Sequence, residues 1–182
     1  MRGLFIITSV LLPFLLCNAN QHPGATDQPA RRHFHIIASS NEEIELIVPE
    51  TRIALQADSR ALSAETLRNL ICSGGSAHVF LLVYDQFAET APGVLYHLYF
   101  DLPANEKPGK EDTHYVGALN FYGRTGVASG GNSFVSYDIT ALIKSLTESN
   151  RLTPATTLSI VPSGSPFPAA KPRIGRIELA TE

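Results

Sequence analysis

Two strand-like runs divided by a polar connection constrain the fold more than any other part of the chain. Residues 94–102 read VLYHLYFDL and residues 114–122 read HYVGALNFY. Both are rich in aromatic and β-branched residues, and Pro103 and Gly123 end them, which is the pattern of β-strands. The connection between them, residues 104–113, contains Pro108-Gly109 and five charged side chains. It therefore reads as a solvated loop.

The other segments extend that pattern. Residues 33–38 (HFHIIA) form a short strand. Residues 43–48 alternate Ile44, Leu46 and Val48 against Glu43, Glu45 and Ile47 until Pro49 stops them. A short strand follows at 52–55. Residues 77–87 (AHVFLLVYDQF) are apolar through their middle, as in a strand buried on both faces or crossing a barrel. Thr90-Ala91-Pro92-Gly93 is a turn. Further strands are expected at 133–137, 157–161 and 173–179.

Two helices interrupt the strands. In residues 63–70, Ser63 is placed as the cap, with Glu65 and Thr66 in the first turn. In residues 138–146, Asp138 is placed as the cap, and Ile139, Leu142, Ile143 and Leu146 make one apolar stripe. Pro154 lies beyond the second helix. The sum is a mainly β chain of seven to nine strands with one or two short helices. The expected fold is an antiparallel β-sandwich or a partly closed barrel. No internal repeat is visible.

The N-terminus reads as an export signal. Met1-Arg2 is followed by an apolar core at 4–16 and by Cys17-Asn18-Ala19, too short a core to span a membrane. The expected organisation is a signal peptide over 1–19, a flexible polar N-terminus over 20–32 and a single β-domain over 33–182. The location is then periplasmic or secreted. A lipoprotein reading at Cys17 is the weaker one, because large Leu16 precedes the cysteine. With Cys17 removed, Cys72 is the only cysteine. It reads as a small, half-buried hydrophobe, and an internal disulfide is excluded. The remaining ~160 residues suffice for one core.

Charge excludes other classes. Fourteen basic and 17 acidic residues give a net charge of −3. With no basic stripe, nucleic acid is a poor partner, and no polybasic amphipathic segment suggests membrane adsorption.

Residue chemistry names no reaction. Ser73-Gly74-Gly75-Ser76 precedes a strand, whereas a nucleophile elbow opens a helix. Gly-rich 126–131 lacks the Lys-Ser/Thr of a phosphate loop. The six histidines are His22, His33, His35, His78, His97 and His114. None falls on an expected helix. His97 and His114, on the two opening strands, are the candidate metal ligands. Asp85, Asp101 and Asp138 sit at strand ends, where turns and caps use carboxylates, so a glycosidase pair is the lesser reading.

A family resemblance goes further. It is carried in order by Leu95–Pro103, His114–Gly123, Phe134-Val135-Ser136-Tyr137-Asp138-Ile139-Thr140, Leu158-Ser159-Ile160-Val161-Pro162 and Arg173-Ile174-Gly175-Arg176-Ile177-Glu178-Leu179. Together these segments resemble the C-terminal β-domain of bacterial tyrosinases and plant polyphenol oxidases, over residues 78–179. In that family the domain is a sandwich that packs over a type-3 copper site and places a bulky side chain in the substrate entrance. The histidine-bearing copper domain itself is absent here. The resemblance therefore implies a non-enzymatic domain without a cofactor of its own, meeting copper only through a partner. That partner would be a separate tyrosinase-like copper oxidase, which this chain shields or helps to mature.

Loop chemistry supplies the plug candidates. Phe167, between Pro166 and Pro168, is the first, and Tyr122 at a strand end is the second. A carbohydrate- or surface-binding sandwich is the alternative, and a small hydrolase is a lesser one.

Overall fold

The computed structural model describes residues 33–40, 42–57, 60–72, 78–104, 106, 108–109, 111–125 and 133–182. The expected signal peptide, the polar N-terminus with His22, Cys17, Gly74-Gly75 and the Gly126–Gly131 loop lie outside the described residues, as does the side chain of Cys72.

Eleven strands and two α-helices are present among the described residues. The order is β1 (His35–Ser39), β2 (Ile44–Glu45), β3 (Thr51–Ala54), β4 (Gln56–Ala57), β5 (Arg60–Ala61), α1 (Ala64–Cys72), β6 (Val79–Phe87), β7 (Tyr96–Phe100), β8 (Tyr115–Leu119), β9 (Phe134–Asp138), α2 (Thr140–Glu148), β10 (Thr157–Pro162) and β11 (Arg173–Thr181). The expected seven to nine strands correspond to the longer ones. The surplus comes from two-residue pairings at β2, β4 and β5.

The strands form two sheets. One runs β5-β4-β1-β11-β6-β9, with β2 also paired to β11, and the other runs β3-β10-β7-β8. Every pairing within them is antiparallel. The sheets stack as a sandwich and do not close into a barrel. One core joins Leu81, Val83, Ile177 and Leu179 of the first sheet to Leu98, Phe100, Leu158 and Ile160 of the second.

Strand β6 is buried on both faces, as its apolar run implies. Alternation sends Val79, Leu81 and Val83 into the main core. It sends Phe80, Leu82 and Tyr84 into a second cluster on the outer face, with Ala180 and the Phe34 ring. Phe34 meets Phe80 edge-on with centroids 5.4 Å apart. Arg176 holds its guanidinium 4.0 Å from the Tyr84 ring centroid, a cation–π contact.

The helices follow the expected stripes, with one change of cap. In α1, Ser63 Oγ accepts the Thr66 N–H at 3.1 Å. In α2, Ile143 and Leu146 are buried, but the residue in the cap position is Ile139. Asp138 is instead the last residue of β9. Its Oδ1 accepts the Thr140 N–H at 3.0 Å and the Thr140 hydroxyl at 2.6 Å. The carboxylate still serves the first helical turn, from one residue further out.

The expected strand over 43–48 shrinks to Ile44–Glu45. The Leu46 N–H donates to the Pro172 carbonyl at 2.9 Å, and the Ile47 N–H donates to Thr51 Oγ1 at 2.8 Å. Side-chain capture turns the backbone away from the sheet, so Ile47 and Val48 face solvent.

Candidate functional site

One end of the sandwich gathers exposed apolar side chains on fixed backbone. The first element is the turn after β8. Asn120 Oδ1 accepts the Tyr122 N–H at 2.9 Å, and the Arg124 N–H donates to the Phe121 carbonyl at 3.0 Å. Gly123 completes the turn at φ 71°, a conformation glycine adopts without a Cβ penalty. The turn splits two neighbouring aromatics. Phe121 goes inward against Tyr96, with centroids 5.4 Å apart, and Tyr122 goes outward, 87% exposed.

The second element is the proline-rich loop between β10 and β11. Phe167 has φ −64° and ψ 122°, the extended geometry that a following proline favours. Its N–H donates to the Pro92 carbonyl at 2.9 Å, and its carbonyl accepts the Ala170 N–H at 2.9 Å. Lys171 then turns the chain at φ 40° and pairs with Glu89 at 3.1 Å. Backbone bonds therefore hold the loop while the Phe167 ring remains 58% exposed.

Pro92 links these two elements. It lines a cavity of about 360 Å³ together with Gly93, Val94, Leu95, Tyr122 and Ser163. The Leu95 N–H donates to Ser163 Oγ at 3.2 Å, and the Ser163 N–H donates to the Leu95 carbonyl at 2.8 Å. Tyr122 and Phe167, named separately from the sequence, thus both border residues 92–95, Tyr122 by lining the same cavity and Phe167 by its bond to Pro92.

The two candidate metal ligands are interior and engaged in different contacts. His97 Nδ1 lies 3.4 Å from the Tyr115 hydroxyl. His114 is fully buried, and its Nδ1 lies 2.9 Å from the Phe100 carbonyl oxygen. A ring nitrogen of His114 also lies near carboxylate oxygens of Glu106 and Asp112, a group that does not include His97.

Residues 33–182 match the model of a family described as "Domain of unknown function (DUF7868)". The chain belongs to this family. No curated protein matches it. Among solved structures, this DUF7868 domain is similar to latent aurone synthase (polyphenol oxidase), at 14% identity and a TM-score of 0.43, over 82% of this chain and 26% of that one. It is also similar to latent apple tyrosinase, at 14% identity and a TM-score of 0.41, over 79% of this chain and 26% of that one. The DUF7868 chain thus spans about a quarter of the length of these solved chains.

Of the three carboxylates singled out in the sequence, Asp101 and Asp138 have structural employment in this DUF7868 domain, whereas Asp85 Oδ1 is buried without a hydrogen-bond partner among the described residues. Asp101, buried at φ 57°, accepts the Thr153 N–H and the Thr153 hydroxyl, each at 2.5 Å. Asp138 pairs with His78 at 3.0 Å. The bonds from Thr140 come first among the influences holding the Asp138 carboxyl below its ordinary range, and His78 adds to them. Sequence reasoning took Glu106 and Asp112 only as solvated loop charges. The spacing Asp112-x-His114 was the available signal.

Proposed function

We propose that this DUF7868 domain acts by protein contact, as a shield or maturation partner of a separate type-3 copper oxidase. In this reading it is exported and performs no chemistry of its own. Tyr122 and Phe167 occupy the partner's substrate entrance. The observation that carries the reading is that these two exposed rings border the same segment, residues 92–95, at one end of the sandwich. An aromatic that need not be ordered on binding loses little entropy there, and such side chains dominate interface energies. The resemblance of the motif order to that of tyrosinase and polyphenol oxidase C-terminal domains supplies the class of partner.

The test is a pull-down and activity assay with a tyrosinase-like oxidase encoded beside this chain. The expected result is a stable complex with suppressed phenol oxidation, weakened at least about tenfold by Phe167→Ser or Tyr122→Ser. No complex, or a complex indifferent to both substitutions, would remove the proposal.

A second reading rests on Tyr122 alone. An exposed ring beside a polar-rimmed cavity containing Asn120 and Ser163 also suits stacking against a sugar. A glycan array separates the two readings, since only the second expects signal that Tyr122→Ser abolishes and Phe167→Ser leaves intact.

A further inference from the structure

The geometry points to a divalent transition-metal site formed by His114, Glu106 and Asp112, of the zinc or manganese class. One ring nitrogen of His114 and one carboxylate oxygen from each acid lie within 4.8 Å of one another. All three come from the connection between β7 and β8, His114 being the residue immediately before β8. This inference is independent of the proposed docking end.

His114 carries the argument. Its carbonyl accepts the Phe100 N–H at 2.8 Å, and its own N–H donates to Asp112 Oδ1 at 2.8 Å. Its Nδ1 contacts the Phe100 carbonyl oxygen at 2.9 Å. A carbonyl oxygen can only accept, so Nδ1 carries the proton, and in the neutral ring the lone pair is on Nε2. Nε2 is buried and has no hydrogen-bond partner among the described residues. Burying such an acceptor unsatisfied is costly, and a metal bond removes that cost. An imidazole held through Nδ1–H to a backbone carbonyl, with Nε2 left for the ion, is the usual outer-shell arrangement of metal-binding histidines.

Arg151 supplies the local counter-charge. It lies 3.4 Å from both Glu106 carboxylate oxygens and donates to Thr113 Oγ1 at 2.6 Å. The Glu106 contact is long and solvent-exposed, so a doubly charged ion competes with it readily. Coordination at about 2.0–2.2 Å requires the three donors to draw together. The exposed Glu106 side chain, on a loop containing Gly109, can make most of that movement. One nitrogen and two carboxylates suit zinc or manganese better than calcium or magnesium, which prefer all-oxygen shells, or copper(I), which prefers sulfur.

The experiment is equilibrium dialysis and calorimetry of the full chain against zinc chloride and, separately, manganese chloride. One equivalent is expected for the wild type with at least one of the two ions. Glu106→Gln and Asp112→Asn should each weaken it at least about tenfold. His114→Gln should abolish it, but as a core change it can also disturb folding, so the two loop variants carry the decision. Arg151→Gln should tighten binding. A double His33→Ala, His35→Ala variant should bind as the wild type does. Wild-type affinity in Glu106→Gln, loss of the equivalent with His33 and His35, or no uptake of either ion would overturn the site.

Discussion

Tyr137 reaches from β9 across the sandwich and lies against Gly117 of β8. A Cβ on Gly117 would stand 2.7 Å from Tyr137 Cε1 and 2.9 Å from Cδ1. The Tyr137 hydroxyl continues past it and donates to the Ala118 carbonyl at 2.8 Å. Strand β9 ends the first sheet and β8 ends the second, so this one side chain joins the two sheets along an open side. Gly117→Ala is therefore expected to cost about 1–3 kcal/mol by overpacking. The check is urea denaturation in two backgrounds. The cost should largely vanish when Tyr137 is already alanine, and an equal cost in both backgrounds would refute the contact's role.

The same residue gives a pH prediction. Burial, with a smaller contribution from Tyr115, pushes the Tyr137 phenol up from 10.0 to about 12. In the unfolded chain the phenol loses its proton near pH 10, while in the folded chain it keeps it until about pH 12. The folded state then binds more protons, so stability falls as pH rises through that window and this contribution is fully present below it. Tyr137→Phe should flatten that fall and cost about 1 kcal/mol at neutral pH for the lost hydrogen bond. Denaturation midpoints across pH 9 to 12, compared with the wild type, decide it.

Asp101, which is buried, pairs with the half-buried Thr153, and two changes at Thr153 should have unequal effects. Thr153→Val leaves a buried carboxylate without its hydroxyl donor, at an expected cost of about 2–4 kcal/mol. Thr153→Ser keeps the donor and should cost under about 1 kcal/mol. Equal losses in the two variants, measured by thermal unfolding, would show that the methyl group rather than the hydroxyl matters.

Adjacent aromatics after β8 should behave oppositely. Phe121→Ala removes a buried ring and is expected to cost about 3–5 kcal/mol. Tyr122→Ala removes an exposed one and should change stability by no more than about 0.5 kcal/mol. Phe167→Ser should resemble Tyr122→Ala. A large destabilisation in either exposed variant, by denaturant titration, would mean that its ring supports its own domain and is not held ready for a partner.

The strands were legible where alternation or continuous apolarity left little choice. Residues 79–87 announce a doubly buried strand because every residue from Val79 to Tyr84 is hydrophobic. Local rules failed where a distant hydrogen bond decided the outcome. Thr51 and Pro172 draw off the backbone of Leu46 and Ile47, and no window over 43–48 contains that information. Turn and proline chemistry singled out Tyr122 and Phe167, but their exposure and their nearness to Pro92 needed the fold. Asp112 was legible only as the spacing Asp112-x-His114, and Glu106 was unremarkable as a loop charge because its approach to His114 needs the folded connection.

The outer cluster on β6 has a practical consequence for handling the molecule. Phe80, Leu82, Tyr84 and Ala180 lie on the face of the first sheet turned away from the main core, and Phe34 is packed against them. Phe34 precedes the first strand, so trimming the chain at the start of β1 removes part of this cover and leaves a greasy surface in its place. The shortest piece worth expressing begins at or before residue 33. Shorter versions are expected to clump in solution even though every strand remains intact.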